Sequence, residues 1–292
     1  MAKDRSQALR AAHAAGGPLV TPLAHDAFSA RLIAAAGFPA FNIGGSSLLA
    51  ARHALPDLGL AALGEMSAAI KDILDAVDIP CMADADDGYG DIKSVVRTVR
   101  AYERIGVGGL LLEDQAREGK QPGAAMARAV LPVEAMVERL KAATAARETG
   151  LVVIGRTDAL GLEGVDGALK RAETYLKAGA DGIFIVGLNT PELLQKAGAA
   201  FKGGWNMAVQ FEGGATPWLT PAELYDLGFS QVSYPMLLIQ RMAGVIEQTL
   251  SSLQAFAAGA AEGPAHADLL SPSGFRTAVA LERWLAVERG DV

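Results

Sequence analysis

A single cysteine, Cys81, among 292 residues excludes an intrachain disulfide and fits a reducing compartment. No stretch approaches the roughly 20 uninterrupted apolar residues of a membrane helix. The opening stretch MAKDRSQALRAAHAAGG is interrupted by Lys3, Asp4, Arg5 and Arg10 and holds no apolar core of signal-peptide length. A soluble, cytoplasmic protein with no membrane partner is therefore expected. Lys and Arg nowhere cluster and the net charge is −7, which argues against nucleic acid as a partner, because phosphate contacts need concentrated positive charge. The acidic excess does not name a substrate, since a few local cations can hold an anion. Histidine is scarce too. His13, His53 and His266 fall away from the strand ends described below, and only His25, beside Asp26, could line a site there.

Hydrophobic residues make up 51% of the chain and charged residues 20%, the composition of an ordered protein with a large core. Short apolar runs recur at 19–25, 40–45, 80–86, 109–115, 152–159, 182–187, 206–212 and 231–237. Helical patterns lie between them, as at 67–76, 93–105, 132–147, 167–178 and 221–227. Strands too apolar to alternate, separated by amphipathic helices, indicate a parallel sheet covered on both faces. Eight such units in about 250 residues predict an α/β fold closed into a (β/α)8 barrel of TIM type rather than an open sheet. Gly37, Gly106 and Gly179 each stand where a helix closes just before a strand. The barrel and an N-terminal helix are assigned to 1–254, and a linker and C-terminal helix to 255–292. The stretch 255–274 is rich in Ala, Gly and Pro, and 275–289 carries Phe275, Val279, Leu281, Trp284 and Leu285 at helical spacing. This last helix is expected to be exchanged between subunits of a homo-oligomer; a frayed tail is the alternative.

A barrel requires its catalytic groups at the C-terminal ends of strands, and the acids of this chain gather there. Strand three ends Asp84-Ala85-Asp86-Asp87-Gly88, strand four Glu113-Asp114-Gln115, strand five Arg156-Thr157-Asp158, and strand seven runs to Glu212-Gly213-Gly214. Carboxylates on neighbouring strand ends repel one another unless a positive group sits among them, and a hard dication with oxygen ligands meets that need. Singly, each acid reads equally well as a helix cap or turn former. Jointly they are harder to dismiss, because Asp84 and Asp86 share one face of a strand. Arg156 is suited to fork onto a substrate carboxylate, or to pair with Glu113 or Asp114 as structure. Gly44-Gly45-Ser46 offers backbone donors to an anion, although a plain glycine turn explains it too. Asp57, after Pro56, could be only a cap, and Cys81 reads as a small buried residue.

The segments 25–47, 55–60 (LPDLGL), 82–115 (MADADDGYGDIKSVVRTVRAYERIGVGGLLLEDQ), 152–160 (VVIGRTDAL) and 212–224 (EGGATPWLTPAEL), in this order, resemble the signature of the isocitrate lyase/phosphoenolpyruvate mutase superfamily. The resemblance implies a (β/α)8 barrel, dimers or tetramers that exchange the last helix, and Mg2+, with Mn2+ as a substitute. It also implies an enolate of a 2-keto acid stabilised by the metal. It makes Asp84, Asp86 and Glu113 the metal shell, with Asp57 nearby. Gly45 and Ser46, following Gly44, would hold the substrate carboxylate, Arg156 would hold the same substrate's oxygens, and Glu212 would be a wall residue at strand seven. Arg156, Asp57 and Glu212 are the expected catalytic positions.

The departures bear on the reaction. The lyase branch carries a Lys-Lys/Arg-Cys-Gly-His loop after Glu-Asp-Gln, whose Cys protonates the enolate carbon. Here 116–132 reads AREGKQPGAAMARAVLP, without Cys or His, and Gln121 and Pro122 fall near that place. The lyases' strand-six Glu is Val186, and the Thr usual after the second metal-site Asp is Asp87, which adds charge. Retro-aldol cleavage needs a base and an acid, whereas decarboxylation of a 2-keto acid needs chiefly a polarised keto oxygen. Oxaloacetate-type decarboxylation is thus the expected reaction. The alternatives are a C–C lyase of the 2-methylisocitrate or 2,3-dimethylmalate type, phosphonate P–C chemistry, and a non-catalytic keto-acid-binding protein. The stretch 116–132 is expected to be a lid whose closure brings Lys120 or Arg128 toward the bound acid.

Overall fold

Eight parallel strands close on themselves in chain order: Leu19–Ala24 (β1), Phe41–Ile43 (β2), Cys81–Asp84 (β3), Gly109–Glu113 (β4), Val152–Thr157 (β5), Gly182–Ile185 (β6), Trp205–Val209 (β7) and Gln231–Tyr234 (β8). The ring is completed by the β1–β8 register Leu19↔Gln231 to Pro22↔Tyr234. These strands lie within the eight apolar runs or within a residue of them, and the fold is the (β/α)8 barrel. The computed structural model describes residues 5–120, 129–214, 217–259, 263 and 269–291. The helices are Arg5–Ala14 (α1), Ala27–Ala35 (α2), Gly45–His53 (α3), Leu63–Ala76 (α4), Ile92–Ile105 (α5), Val133–Ala146 (α6) and Leu160–Lys177 (α7, kinked at Gly164). They continue with Pro191–Ala200 (α8), Pro221–Leu227 (α9), Leu237–Ala257 (α10), Pro272–Ala278 (α11) and Leu281–Arg289 (α12).

Local chemistry sets the helix limits. Asp91 caps α5 by accepting from the Ser94 N–H, and Val95, Thr98, Val99 and Tyr102 form its buried stripe. Thr220 and Glu223 form a reciprocal capping box on α9, with Pro221 in the first turn. The expected single helix 275–289 is two. Ala280 adopts a left-handed conformation (φ 54°) and starts α12, a break that a sequence with no Gly or Pro there does not announce.

The strands' two-residue period sorts their side chains into two cores. Inside the barrel, Leu19, Met82, Leu111, Ile154, Phe184 and Met207 pack together, with Leu9 of α1 joining them. Outside, Ile183, Ile185, Ala208 and Val232 pack with Leu194 of α8 and Leu224 of α9. One sector of the interior is polar. Gln231 donates to Thr21 (3.1 Å) and Asn42 (3.2 Å) and accepts from the Trp205 indole (2.7 Å), while Ser233 meets Thr21 (2.7 Å) and Asn42 (2.9 Å). Each such group would cost about 1–3 kcal/mol if left buried and unpaired, so this network holds β8, β1 and β2 in one register.

The chain divides into two compact units, one up to Met236 and one from Leu237 onward. The first contains the whole barrel and α1 to α9; the second contains α10, α11 and α12. Among the described residues no helix is long and apolar enough to cross a membrane.

Candidate functional site

The site lies in the first unit, where interior-facing positions run out at the C-terminal strand ends. On β3 the inward row Met82, Asp84 passes from core to carboxylate; on β4 Leu111 is followed by Glu113, and on β5 Ile154 by Arg156. Beyond β3 the chain turns sharply. Asp86 takes a left-handed conformation (φ 45°), its N–H donating to Asp84 Oδ1 at 3.0 Å. Gly88 (φ 86°) is pressed so close to α5 that a Cβ would stand 2.5 Å from Val95 Cγ2. The Tyr102 hydroxyl of α5 donates to the Asp84 carbonyl at 2.9 Å, fixing the turn from behind.

Asp57, Asp84, Asp86, Glu113 and Asp158 are all buried here. The Gly45 N–H donates to Asp84 Oδ2 (3.2 Å), and the Ser46 hydroxyl donates to Asp57 Oδ2 (2.6 Å). A Cβ on Gly45 would stand 3.2 Å from Asp84 Oδ2, 3.7 Å from Asp86 Oδ1 and 3.8 Å from Asp57 Oδ2, so three carboxylates converge on the space that this glycine leaves open. Two cations answer them. Lys120, 3% exposed at its side chain, places Nζ 3.3 Å from Asp57 Oδ1 and 3.1 Å from Glu113 Oε1, and it contacts Asp86 Oδ1 more closely still. Arg156 forks onto Asp158 through Nε (2.8 Å) and Nη2 (2.9 Å) and reaches Glu113 Oε2 through Nη1 at 2.9 Å. Its guanidinium lies over the Phe184 ring, 5.7 Å from the centroid.

Crowding and burial set the protonation equilibria. Burial, opposed by Lys120 and reinforced by Asp84, pushes the Asp86 carboxyl up to about 6. Burial, opposed by Arg156 and Lys120, pushes Glu113 up to about 8. Burial works against the Lys120 charge, but Glu113, Asp86, Asp84 and Asp57 together hold that ammonium well above its ordinary range.

The donor set fits a hard divalent cation, being carboxylate oxygen throughout. Among the described residues no hydrogen bond reaches the buried atoms Glu113 Oε1, Glu113 Oε2 and Asp57 Oδ1, whose neighbours are the ion-pair contacts of Lys120 and Arg156. Among the described residues, no three Asp, Glu, His or Cys stand ready to hold a metal ion. The oxygens here stand around an ammonium, whose contacts are longer than the roughly 2.0–2.1 Å of Mg2+.

Of the residues singled out from sequence, Gly45, Ser46, Asp57, Asp84, Asp86, Glu113 and Arg156 meet in this cluster, with Gly44 as the N-terminal cap of α3. Glu212 stands apart from that group in kind: it is exposed, three residues beyond the end of β7. Asp114 faces away from the barrel interior, accepting from Thr157 (2.6 Å), Tyr175 (2.6 Å) and the Asp158 N–H (2.9 Å). Asp87 does not leave the site with a loose charge. Arg117 meets it at 2.7 Å and Arg139 at 3.6 Å. Asp158 is among the strand-end acids read from the sequence, but its pairing with Arg156, and the roles of Arg117 and Arg139, have no sequence signal; only the fold joins them. His25 is buried at the end of β1, and among the described residues its Nδ1 has no hydrogen-bond partner. Gln121, Pro122 and Arg128 lie outside the described residues.

A family model described as phosphoenolpyruvate phosphomutase matches residues 9–254. The chain is 38% identical over 251 residues to the probable 2-methylisocitrate lyase 2 of Corynebacterium glutamicum, covering 86% of this chain and 81% of that protein. It is 39% identical over 218 residues to the 2,3-dimethylmalate lyase of Eubacterium barkeri, covering 74% and 75%. The structure of oxaloacetate acetylhydrolase in complex with the inhibitor 3,3-difluorooxalacetate matches with a TM-score of 0.90 at 28% identity, covering 99% of this chain and 97% of that one.

Proposed function

The chain belongs to the phosphoenolpyruvate phosphomutase family, and from that premise we propose that it breaks a carbon–carbon bond in a small 2-oxo or 2-hydroxy carboxylic acid. In this reading Asp84, Asp86 and Glu113, with Asp57 beside them, hold a Mg2+ or Mn2+ ion. The observation that carries the proposal is the buried convergence of these carboxylates beside a guanidinium at the barrel mouth. Bound there, a divalent cation supplies Lewis acidity to the substrate's 2-oxo oxygen.

The chain's own residues supply the rest. Arg156 spends two of its five N–H groups on Asp158 and meets Glu113 as an ion pair through Nη1, leaving N–H groups for a substrate carboxylate. The Asp158 fork orients that guanidinium, and Phe184 beneath it excludes water from one face. The Gly45 and Ser46 donors hold Asp84 and Asp57 in place. Val186, buried in the interior cluster, moves no proton.

The reaction that this inventory supports best is decarboxylation of oxaloacetate or a near analogue. The C3–C4 bond breaks, carbon dioxide leaves, the electron pair stays as the enolate of pyruvate, and water delivers the proton to C3. The second reading, retro-aldol cleavage, draws its support from relatives at 38% and 39% identity that are named lyases. The test is kcat/KM with Mg2+ for oxaloacetate, 2-methylisocitrate, 2,3-dimethylmalate and phosphonopyruvate, reading pyruvate. Oxaloacetate is expected to lead by roughly 10²-fold or more, the worth of a missing positioned acid. Equal or better cleavage of either hydroxy acid transfers the assignment to the second reading. Release of phosphate from phosphonopyruvate alone would point to P–C chemistry, and binding without turnover to a keto-acid-binding protein.

We also propose that the second unit packs on another copy of the chain. Met242, Val245, Ile246, Leu250, Leu253 and Phe256 are exposed along α10, and Trp284 of α12 is 65% exposed. Exposed apolar surface of this extent marks an interaction site. Light scattering is expected to return a dimer or tetramer; a monodisperse monomer at micromolar concentration would contradict it.

A further inference from the structure

Lys120 stands where the proposed function needs a dication, and its seat is built for it. Its Nζ touches Asp57 Oδ1, Asp86 Oδ1 and Glu113 Oε1, carboxylates carried by three separate segments of the barrel mouth. Two of those residues, Asp86 and Glu113, are among the three assigned to the metal. The approach to the seat is anchored as well. Arg117 opens a short 3₁₀ turn, Arg117–Gly119, and the Lys120 N–H closes back on the Arg117 carbonyl at 3.2 Å. The Arg117 guanidinium is pinned on both sides, to Asp87 Oδ1 at 2.7 Å and to the Gly59 carbonyl at 3.0 Å. Gly59 (φ 71°) makes room for both stems. A Cβ there would meet Arg117 Cγ at 3.4 Å and Lys120 Cδ at 3.7 Å. Adjacent aspartates thus take adjacent cations of one strap, Asp86 the lysine and Asp87 the arginine.

An ammonium and a small dication compete for one set of carboxylates. The lysine holds them at hydrogen-bonding distance, while Mg2+ draws them in to roughly 2.0–2.1 Å, and the two cations repel one another. We propose that Lys120 and the divalent cation are alternative occupants of one carboxylate cage, so that metal loading withdraws Lys120 and releases the Arg117–Lys120 strap. This rests on the metal reading above. In the metal-free protein the ammonium offsets repulsion among Asp57, Asp86 and Glu113; in the loaded protein the dication does so and the strap is displaced. Metal occupancy and the position of the strap then become one linked equilibrium, each biasing the other by the same factor.

Two measurements test the proposal without using catalysis. Calorimetric titration of Mg2+ into the wild-type chain and Lys120→Met is expected to show tighter binding in the variant, by roughly tenfold or more, within the range of about 5–150-fold typical of coupled sites. The same variant is expected to melt lower than the wild type without metal and to gain more on adding it. In the second measurement a fluorophore is attached at Glu118→Cys, an exposed position in the strap; Cys81 is buried and does not compete for label. The probe signal is expected to shift on Mg2+ titration with Lys120 present and to be insensitive to Mg2+ when Lys120→Met is added. Equal or weaker Mg2+ binding by a folded Lys120→Met variant overturns the competition while leaving the metal site standing. A probe that ignores Mg2+ in the Lys120 background overturns it independently, even if the methionine variant fails to fold. Failure of both proteins to bind Mg2+ sinks the metal reading together with this one.

Discussion

Asp86→Asn is expected to strip the protein of divalent cation and of turnover while leaving the fold intact. The substitution removes one negative charge and little else. Asp86 sits at φ 45°, a left-handed conformation that Asn, among L residues, adopts readily. Its N–H bond to Asp84 Oδ1 and its carbonyl's bond from the Glu113 N–H belong to the backbone and survive. The cage loses a carboxylate that burial and Asp84 already push up to about 6. Burial and the Asp84 charge both oppose a negative charge at this position, and a dication would relieve both. Loss of even a supporting group around a metal typically costs about 10–100-fold in affinity, so a direct carboxylate is expected to cost at least that. Turnover is expected to fall by about 10²–10³-fold, the usual consequence of removing a preorganised electrostatic partner. Calorimetry with Mg2+ and kcat/KM on the best substrate, alongside an unchanged circular dichroism spectrum, check the prediction. A variant that keeps both affinity and rate would remove Asp86 from the metal set.

Arg156→Met carries the second large effect, on stability and catalysis together. Glu113 and Asp158 are nearly inaccessible, and both lean on this guanidinium. Breaking a buried pair by removing one partner typically costs about 3–5 kcal/mol, because the remaining charge stays buried without compensation. Here Asp158 loses its guanidinium partner while Glu113 retains Lys120, so a loss within that range is expected in urea denaturation. Arg156→Lys separates the two effects. An ammonium restores charge but cannot fork onto Asp158 and reach Glu113 at once, so most of the stability is expected to return while kcat/KM remains roughly 10²-fold down. If Arg156→Lys recovers full activity, the guanidinium is not what orients the substrate, and its part is structural.

Much of this arrangement was legible in the chain. All eight strands lie within the apolar runs or within a residue of them, because a parallel strand buried on both faces needs nothing but consecutive apolar residues. Asp84, Asp86, Glu113 and Arg156 were legible as a group because the barrel's period places inward residues at the strand ends in a known rhythm. The ends of the strands were not. The run 80–86 reads as strand throughout, but the strand ends at Asp84: Ala85 and Asp86 still bond to β4 through Leu111 and Glu113, while the Asp86 N–H turns back to Asp84 Oδ1 in a left-handed turn. At 115 the chain has passed the end of β4 and makes an isolated antiparallel bridge to Val130.

By itself the sequence determined the class of fold, the order of its units and the gathering of acids at one end, since these follow from periodicity and composition, which are local properties. Only the tertiary structure decided the charge balance of the site. Asp87, which as a residue type adds negative charge, is matched by Arg117 and Arg139, respectively 30 and 52 positions along the chain. Lys120, one charged residue in a glycine-containing segment, becomes the cation at the centre of three carboxylates. The physical reason is that Coulomb energy depends on distance and burial in three dimensions. Two opposite charges far apart in sequence carry no mark of their pairing until the barrel closes and brings their strand ends within a few ångströms.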